Sequence, residues 1–361
     1  MNGASILGLG SAVPAGSFAQ DLAMELAADR CCCSQGERTW LRRIYRASGV
    51  ERRGSVLLTR DNDGASIEAF FPPRTSADDG GPTTAVRLAR YERDAGALAA
   101  RACDAAFANT NVARTGITHL ITVSCTGLFS PGLDAELIER LGLVRDVGRA
   151  NLGFMGCHGA LNGLRTAAAL AHSRPGARVL LCCVELCTLH FAYGFNRQRV
   201  IANALFADGA AAVILGPGSG AGLQLRDTAS LLTRDSADAM TWRIGDHGFE
   251  MGLTAEVPRR IRASLRGWLE SWLAPHGFGI DDIAQWAIHP GGPEIIRAAI
   301  DSLRVPPEAG NVSRAVLAEH GNMSSATVLF ILKRMRAREN PGPIVAMGFG
   351  PGLMFEAALF A

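Results

Sequence analysis

Lysine is nearly absent: Lys333 is the only one among 36 basic residues. Acidic residues number 34, so the formal net charge is only +2. No field of one sign dominates, which argues against nucleic acid as a main partner. No apolar run approaches the roughly eighteen residues that a membrane-spanning helix needs. No positively charged leader followed by an apolar stretch opens the chain. The nine cysteines are an odd number without disulfide-framework spacing. Cys31-Cys32-Cys33 and Cys182-Cys183 are direct neighbours, and neighbouring cysteines rarely bridge. Neither a P-loop nor a GxGxxG fingerprint occurs, and no His/Cys spacing suits a metal ion. The expectation is a soluble, reduced, cytoplasmic protein with no nucleic-acid partner and no stable membrane association.

What is present is apolar sequence in alternating patterns. The 361 residues are 48% hydrophobic, enough for one large unit or two fused ones. Residues 4–9 read as a strand, followed by helices near 18–32 and 38–47. A helix runs from Thr83, a capping residue, through Ala108. Strands follow at 117–123, near 149–155 and at 178–184, with a helix from about Pro131 and another carrying Cys157. In the second half, 257–275 reads as a long amphipathic helix. A strand at 285–289 leads through a Gly-Gly turn to a helix ending near Ser302. A further helix starts near Asn322, and a last strand covers 343–347. This alternation predicts an α/β architecture. Phe206–Leu215 and Gly348–Glu356 occupy matching places, each bringing a glycine-rich turn into an apolar strand. They suggest a duplicated unit, 1–220 and 221–361, joined in the glycine-rich segment 216–222.

Three polar residues stand out in this apolar frame. Cys157 follows Gly-Phe-Met-Gly where a strand turns into a helix. A helix N-terminus favours the thiolate, the nucleophilic form, and Phe154 and Met155 are expected to exclude water. A buried inert cysteine is the bland alternative. His289 ends a strand before Pro-Gly-Gly-Pro, a common place for functional groups in α/β sheets, although taken by itself a histidine satisfied by a nearby backbone carbonyl is the simpler reading. Asn322 follows Gly321 at an expected helix start, so capping is its simplest role. Taken together they offer a nucleophile, a base and an amide donor, enough for acyl transfer through a thioester. An arginine cluster, Arg42, Arg43, Arg46, Arg52 and Arg53, reads either as a solvated face or as a phosphate site.

The segments Gly-Phe-Met-Gly-Cys157, Ala204-Leu-Phe206-Ala-Asp208-Gly, Ile288-His289-Pro-Gly-Gly-Pro293, Gly321-Asn322-Met-Ser-Ser-Ala326 and Gly348-Phe-Gly-Pro-Gly352 resemble, in order and spacing, those of type III polyketide synthases. These are the chalcone-synthase-like enzymes of the thiolase superfamily. The resemblance runs from about residue 4 to the C-terminus. It implies a thiolase fold with a duplicated αβαβα five-layered core. It also implies a homodimer acting on free CoA thioesters without metal or redox cofactor. Cys157 would carry the starter acyl group and the growing chain. His289 would keep Cys157 as thiolate and, with Asn322, hold the malonyl-CoA carbonyl through decarboxylation.

Phe206 matches a gatekeeper phenylalanine, and Met251 stands where plant enzymes have a second one. Cys125, Cys187, His190, Trp242 and Ser324 match cavity positions. Arg43, Arg46, Leu253 and Gly291 match positions that contact CoA, although Trp40 and Ala47 replace lysines of the plant enzymes. Ser130 replaces a methionine that reaches into the partner subunit. The segment Trp242–Met251 is similar to bacterial alkylresorcinol and alkylpyrone synthases, which implies a fatty acyl-CoA starter. Two other readings stay open at this level: a ketoacyl-ACP synthase III-like condensing enzyme and, more remotely, a papain-like cysteine protease.

Overall fold

The computed structural model describes residues 3–61, 64–67, 70–218, 223–337 and 342–361. The N-terminal part contains β1 (Ala4–Ala12), β2 (Ser17–Ala19), α1 (Gln20–Cys31), α2 (Gln35–Ala47), β3 (Arg52–Gly54), β4 (Leu58–Asp61) and β5 (Gly64–Ile67). Then come α3 (Thr84–Phe107), β6 (His119–Ser124), α4 (Leu133–Leu141), β7 (Gly148–Gly153), α5 (Gly159–Ala171), β8 (Val179–Leu186), α6 (Arg197–Leu205) and β9 (Asp208–Pro217). The second half holds β10 (Gln224–Leu232), the hairpin of β11 (Met240–Gly245) and β12 (Gly248–Leu253), α7 (Glu256–Leu273) and β13 (Gln285–Ile288). It closes with α8 (Pro293–Leu303), α9 (Asn311–His320), α10 (Thr327–Arg336), β14 (Ile344–Gly350) and β15 (Met354–Phe360).

One strand order occurs twice. From the centre outward, the first half runs β1-β9-β8-β6 and the second β10-β15-β14-β13. The senses match as well: the inner pairs are antiparallel, whereas β6–β8 and β13–β14 are parallel. The halves meet at Ala4↔Leu225 and Ser5↔Gln224. The first half adds β7 at its outer edge, parallel to β6. The Phe206 and Gly348 segments lead into β9 and β15, which are equivalent strands. Part of the joining segment, 219–222, lies outside the described residues.

Three apolar cores hold five layers together, the central one lying on both sides of the middle helices. Helices α3 and α4 cover one face of the first half-sheet. Helices α5 and α10 lie in the core between the two half-sheets. Helices α7 and α8 cover the far face of the second. This is the αβαβα thiolase-type arrangement. Sequence explains which helix goes where. The residues of α7 that are buried, Val257, Ile261, Leu265, Leu269 and Leu273, recur at i, i+4 and form one stripe. By contrast, α10 is buried continuously from Thr327 to Leu332, as a central helix must be. The small residues of α5 allow close approach to the sheet: a Cβ on Gly163 would come within 2.6 Å of Leu181. β8 is buried at every position because helices cover both faces.

Candidate active site

Cys157 sits in the turn between β7 and α5. Gly156 has φ 86°, and a Cβ there would lie 2.4 Å from Pro351, so only glycine fits. The helix itself starts at Gly159, two residues beyond Cys157. His289 follows β13 and donates its backbone N–H to Met347 at 2.9 Å. A helical start does follow Asn322, a 3-10 turn over Ser324–Ala326 that runs into α10 at Thr327, but its N-cap position is Met323 and Asn322 is not there merely as a cap. Asn322 also forms a short β-bridge with Phe206. Its N–H donates to Leu205 O at 2.8 Å, and its carbonyl accepts from Ala207 N–H at 2.9 Å. Its side-chain Oδ1 accepts the N–H of Ser324 at 2.9 Å.

These three residues from two halves line one cavity, together with Phe206, Met251, Leu253 and Gly291. A contiguous recess adds Cys125, Thr126, Cys187, Trp242 and Ser324 to Cys157, Phe206 and Met251. Beyond lies an apolar chamber of about 130 Å³ that reaches α1 and α6. Phe206, Met251, Trp242 and Cys187 border both the chamber and the recess, so they form the partition between them. Trp242 is fixed by its Nε1–H, which donates to Cys125 O at 2.7 Å. His190 is a wall element. Its Nε2–H donates to Thr126 O at 2.7 Å, its Nδ1 accepts Phe249 N–H at 3.0 Å, and its ring stacks on Phe249 at 4.2 Å.

Burial sets the protonation states. The Cys157 thiol is 6% exposed and is pushed up to about 12 by desolvation, against the pull of the Ser324 hydroxyl and the Asn322 amide. Burial therefore opposes the thiolate that the turn before α5 favours. Burial likewise pushes His289 down to about 3, with His158 a smaller cause. Both ring nitrogens of His289 are buried without a hydrogen-bond partner among the described residues. Burial thus works against charge on either of the two groups.

Phe154 and Met155 depart from expectation. They are 36% and 37% exposed and do not screen the cysteine within this chain. Arg43 and Arg46 lie on the outer face of α2 with Thr39, Arg42 and Ala47. Arg42 is engaged by Glu25 at 3.0 Å. Leu253 and Gly291 sit inside, in the cavity of Cys157 rather than beside these arginines.

Sequence reasoning missed Glu185. It is fully buried at the end of β8 and accepts hydrogen bonds from the hydroxyls of Ser325 and Thr126 and from Cys125 N–H. Desolvation pushes its carboxyl up to about 7, and its charge acts on Cys157. A glutamate inside the apolar run Val179–Leu186 was the available signal. No group of three or more His, Cys, Asp or Glu residues among the described residues could hold a metal ion.

The family model "Chalcone and stilbene synthases, N-terminal domain" matches residues 2–219, and the corresponding C-terminal domain model matches 224–361. The chain belongs to the chalcone and stilbene synthase family. It is 34% identical to a 1,3,6,8-tetrahydroxynaphthalene synthase from Streptomyces peucetius subsp. caesius, over 99% of this chain and 93% of that protein. It is 29% identical to "Alpha-pyrone synthesis polyketide synthase-like Pks18" of Mycobacterium tuberculosis, over 92% and 86%. The crystal structure of PKS-I from the brown alga Ectocarpus siliculosus superposes with a TM-score of 0.93 at 31% identity, covering 100% of this chain and 98% of that one. This chalcone-synthase-like chain is therefore an enzyme of the type III polyketide synthase family, with condensing activity on CoA thioesters. Membership sets aside the ketoacyl-ACP synthase and protease readings. No helix among the described residues is long and apolar enough to cross a membrane.

Proposed function

We propose that this chain carries out iterative decarboxylative condensation of malonyl-CoA onto a fatty acyl-CoA starter held on Cys157, yielding an alkylpyrone or alkylresorcinol-type product. The observation that carries this reading is the convergence of Cys157, His289 and Asn322 on one cavity, with an apolar chamber behind the partition. Residues 1–220 bring the nucleophile, and residues 221–361 bring the base and the amide.

Burial disfavours charge on either group, so the proton moves as the bond forms. The Cys157 sulfur attacks the starter thioester carbonyl while its proton passes to His289, and CoA leaves as the thiol. Malonyl-CoA then places its thioester oxygen between the His289 N–H and the Asn322 amide. Loss of CO₂ leaves its bonding electrons as an enolate on that oxygen, and the two donors stabilise it. The enolate carbon attacks the acyl group on Cys157, the carbon–sulfur bond breaks, the sulfur takes up a proton, and the extended chain, now on CoA, returns to Cys157 for the next round. Low basicity keeps His289 neutral at this stage, so it acts as a hydrogen-bond donor.

The aliphatic tail of the starter would pass Trp242, Phe206 and Met251 towards the chamber. The adaptable methionine at 251 favours this over a second aromatic gate. Arg43 and Arg46 are assigned to CoA phosphates, and Leu253 and Gly291 to the pantetheine arm. A homodimer is also proposed. The outer edge of β7 and the exposed Leu128, Phe154 and Met155 offer an open strand edge and apolar side chains that a second copy would cover.

The test is incubation of the purified chain with malonyl-CoA and a panel of acyl-CoA starters, with products identified by mass spectrometry. CO₂ release with pyrone or phenolic products is expected, and best turnover with aliphatic starters. Turnover of aromatic starters alone would remove the fatty-acyl reading, and no condensation with any starter would remove the whole assignment.

A further inference from the structure

The turn that carries Asn322 continues into Ser324, whose φ is 45°. Residues with a side chain rarely enter this left-handed region, and when they do the surrounding structure holds them there. Here the hold is visible. The Ser324 N–H is engaged by Asn322 Oδ1 at 2.9 Å, and Met323 N–H donates to Thr327 Oγ1 at 2.8 Å. Asn322 itself is pinned to Leu205 and Ala207 through its backbone.

The outcome of this turn is a placement. Ser324 Oγ lies 3.8 Å from Cys157 Sγ, and both residues face the same recess. It is the one hydroxyl within reach of that sulfur among the described residues. Ser324 is 4% exposed, so water does not readily replace it. A glycine at 324 would adopt the same backbone freely, yet would leave the sulfur without this donor.

We propose that Ser324 is a catalytic residue of this chain: its hydroxyl donates a hydrogen bond to the Cys157 sulfur as negative charge develops there, and the strained turn exists to place it. The role rests on Cys157 being the nucleophile. No proton leaves Ser324. The thiol proton goes to His289, and Ser324 O–H stabilises the sulfur both when it attacks and when it departs from the extended chain. The Asn322 amide acts beside it, its Oδ1 being occupied by Ser324 N–H and its NH₂ free to turn to the reacting groups. The other titratable groups around the sulfur are Glu185, Cys125, Cys187 and His289, and a change at 324 leaves all four in place.

The experiment compares Ser324→Ala and Ser324→Gly with the native chain. Cys157 alkylation by iodoacetamide is followed by peptide mass spectrometry across pH, and Tm is recorded alongside. A lost hydrogen bond to a developing charge is worth about one pKa unit or more, partly offset by the higher nucleophilicity of the more basic sulfur. Both variants should therefore alkylate about three- to tenfold more slowly below the midpoint. Ser324→Gly should have a Tm at or above that of the native chain, because glycine removes the strain. Native alkylation rates in both folded variants would overturn the proposal. Failure of the native chain itself to label at Cys157 would overturn the nucleophile reading, a result distinguishable because it appears without any substitution.

Discussion

Trp242→Ala would open the partition between Cys157 and the apolar chamber. The indole borders both spaces, is held by Cys125 O, and meets Phe206, His190 and Phe249 with ring centroids 6.3, 5.9 and 5.9 Å away. Truncating a fully buried large aromatic costs about 3–5 kcal/mol, and Trp242 is only half-buried. The lower end applies here, since one side of the ring already faces open space. On activity the effect should be a change of starter range. Each methylene newly buried in the chamber contributes about 0.8 kcal/mol, close to fourfold in kcat/KM. In the native chain this gain should stop at the length where the starter meets the indole. In the variant it should continue for several more carbons. The assay is kcat/KM for straight-chain saturated acyl-CoA starters of rising length with malonyl-CoA in excess, on protein shown to be folded by circular dichroism. If the variant's profile broke at the same length as the native one, Trp242 would not be the partition. If the native profile were flat from the shortest starter, the chamber would not hold the acyl chain.

Other consequences follow from individual residues. Glu185 keeps its proton up to about 7 when folded, whereas the unfolded chain loses it from about 4.5, so its contribution to stability falls as pH rises through that window. Asp208, raised to about 6, acts in the same direction, while His190 and His289, held neutral down to about 3, oppose both. Glu185→Gln should therefore gain stability relative to the native chain, by about 3 kcal/mol in urea melts as pH rises from 4.5 to 7; an unchanged pH slope would exclude a buried neutral carboxyl. Gly350→Ala would place a Cβ 2.3 Å from the His158 ring and should cost about 2 kcal/mol, with part of the loss recovered in a His158→Ala background; additive losses would show that the two do not touch. Arg43→Ala should raise the KM for malonyl-CoA about two- to fivefold, with little effect on kcat and a smaller effect at high salt. A KM that does not move would take Arg43 out of the CoA site.

Local pattern revealed most of the frame. The strand at β8, the Thr83 cap of α3, the stripe of α7 and the glycine turn before Cys157 are all set by near neighbours in sequence. Thr83 indeed accepts the Val86 N–H. What failed was fixed by distant partners. Asn322 looked like a cap because a glycine precedes it, but its place is set by pairing with Phe206, more than a hundred residues earlier. The helix α9 and the hairpin β11–β12, which carries Trp242 and Met251, were not anticipated from periodicity. Phe154 and Met155 were placed inside because apolar residues usually are, yet the chain turns them out at the β7 edge. The protonation of Cys157 depends on how dry the central layer is. No local motif carries that information, which is also why Glu185 escaped notice.

The central claim is that Cys157 carries the acyl chain, and its most direct test is mass spectrometry of the protein itself. Incubation with an acyl-CoA starter alone should add one acyl mass, which peptide mapping should locate on Cys157. In Cys157→Ala that mass and all chain extension should disappear. An acyl group mapped to Cys125, Cys187 or another residue, or chain extension at the native rate by Cys157→Ala, would contradict it.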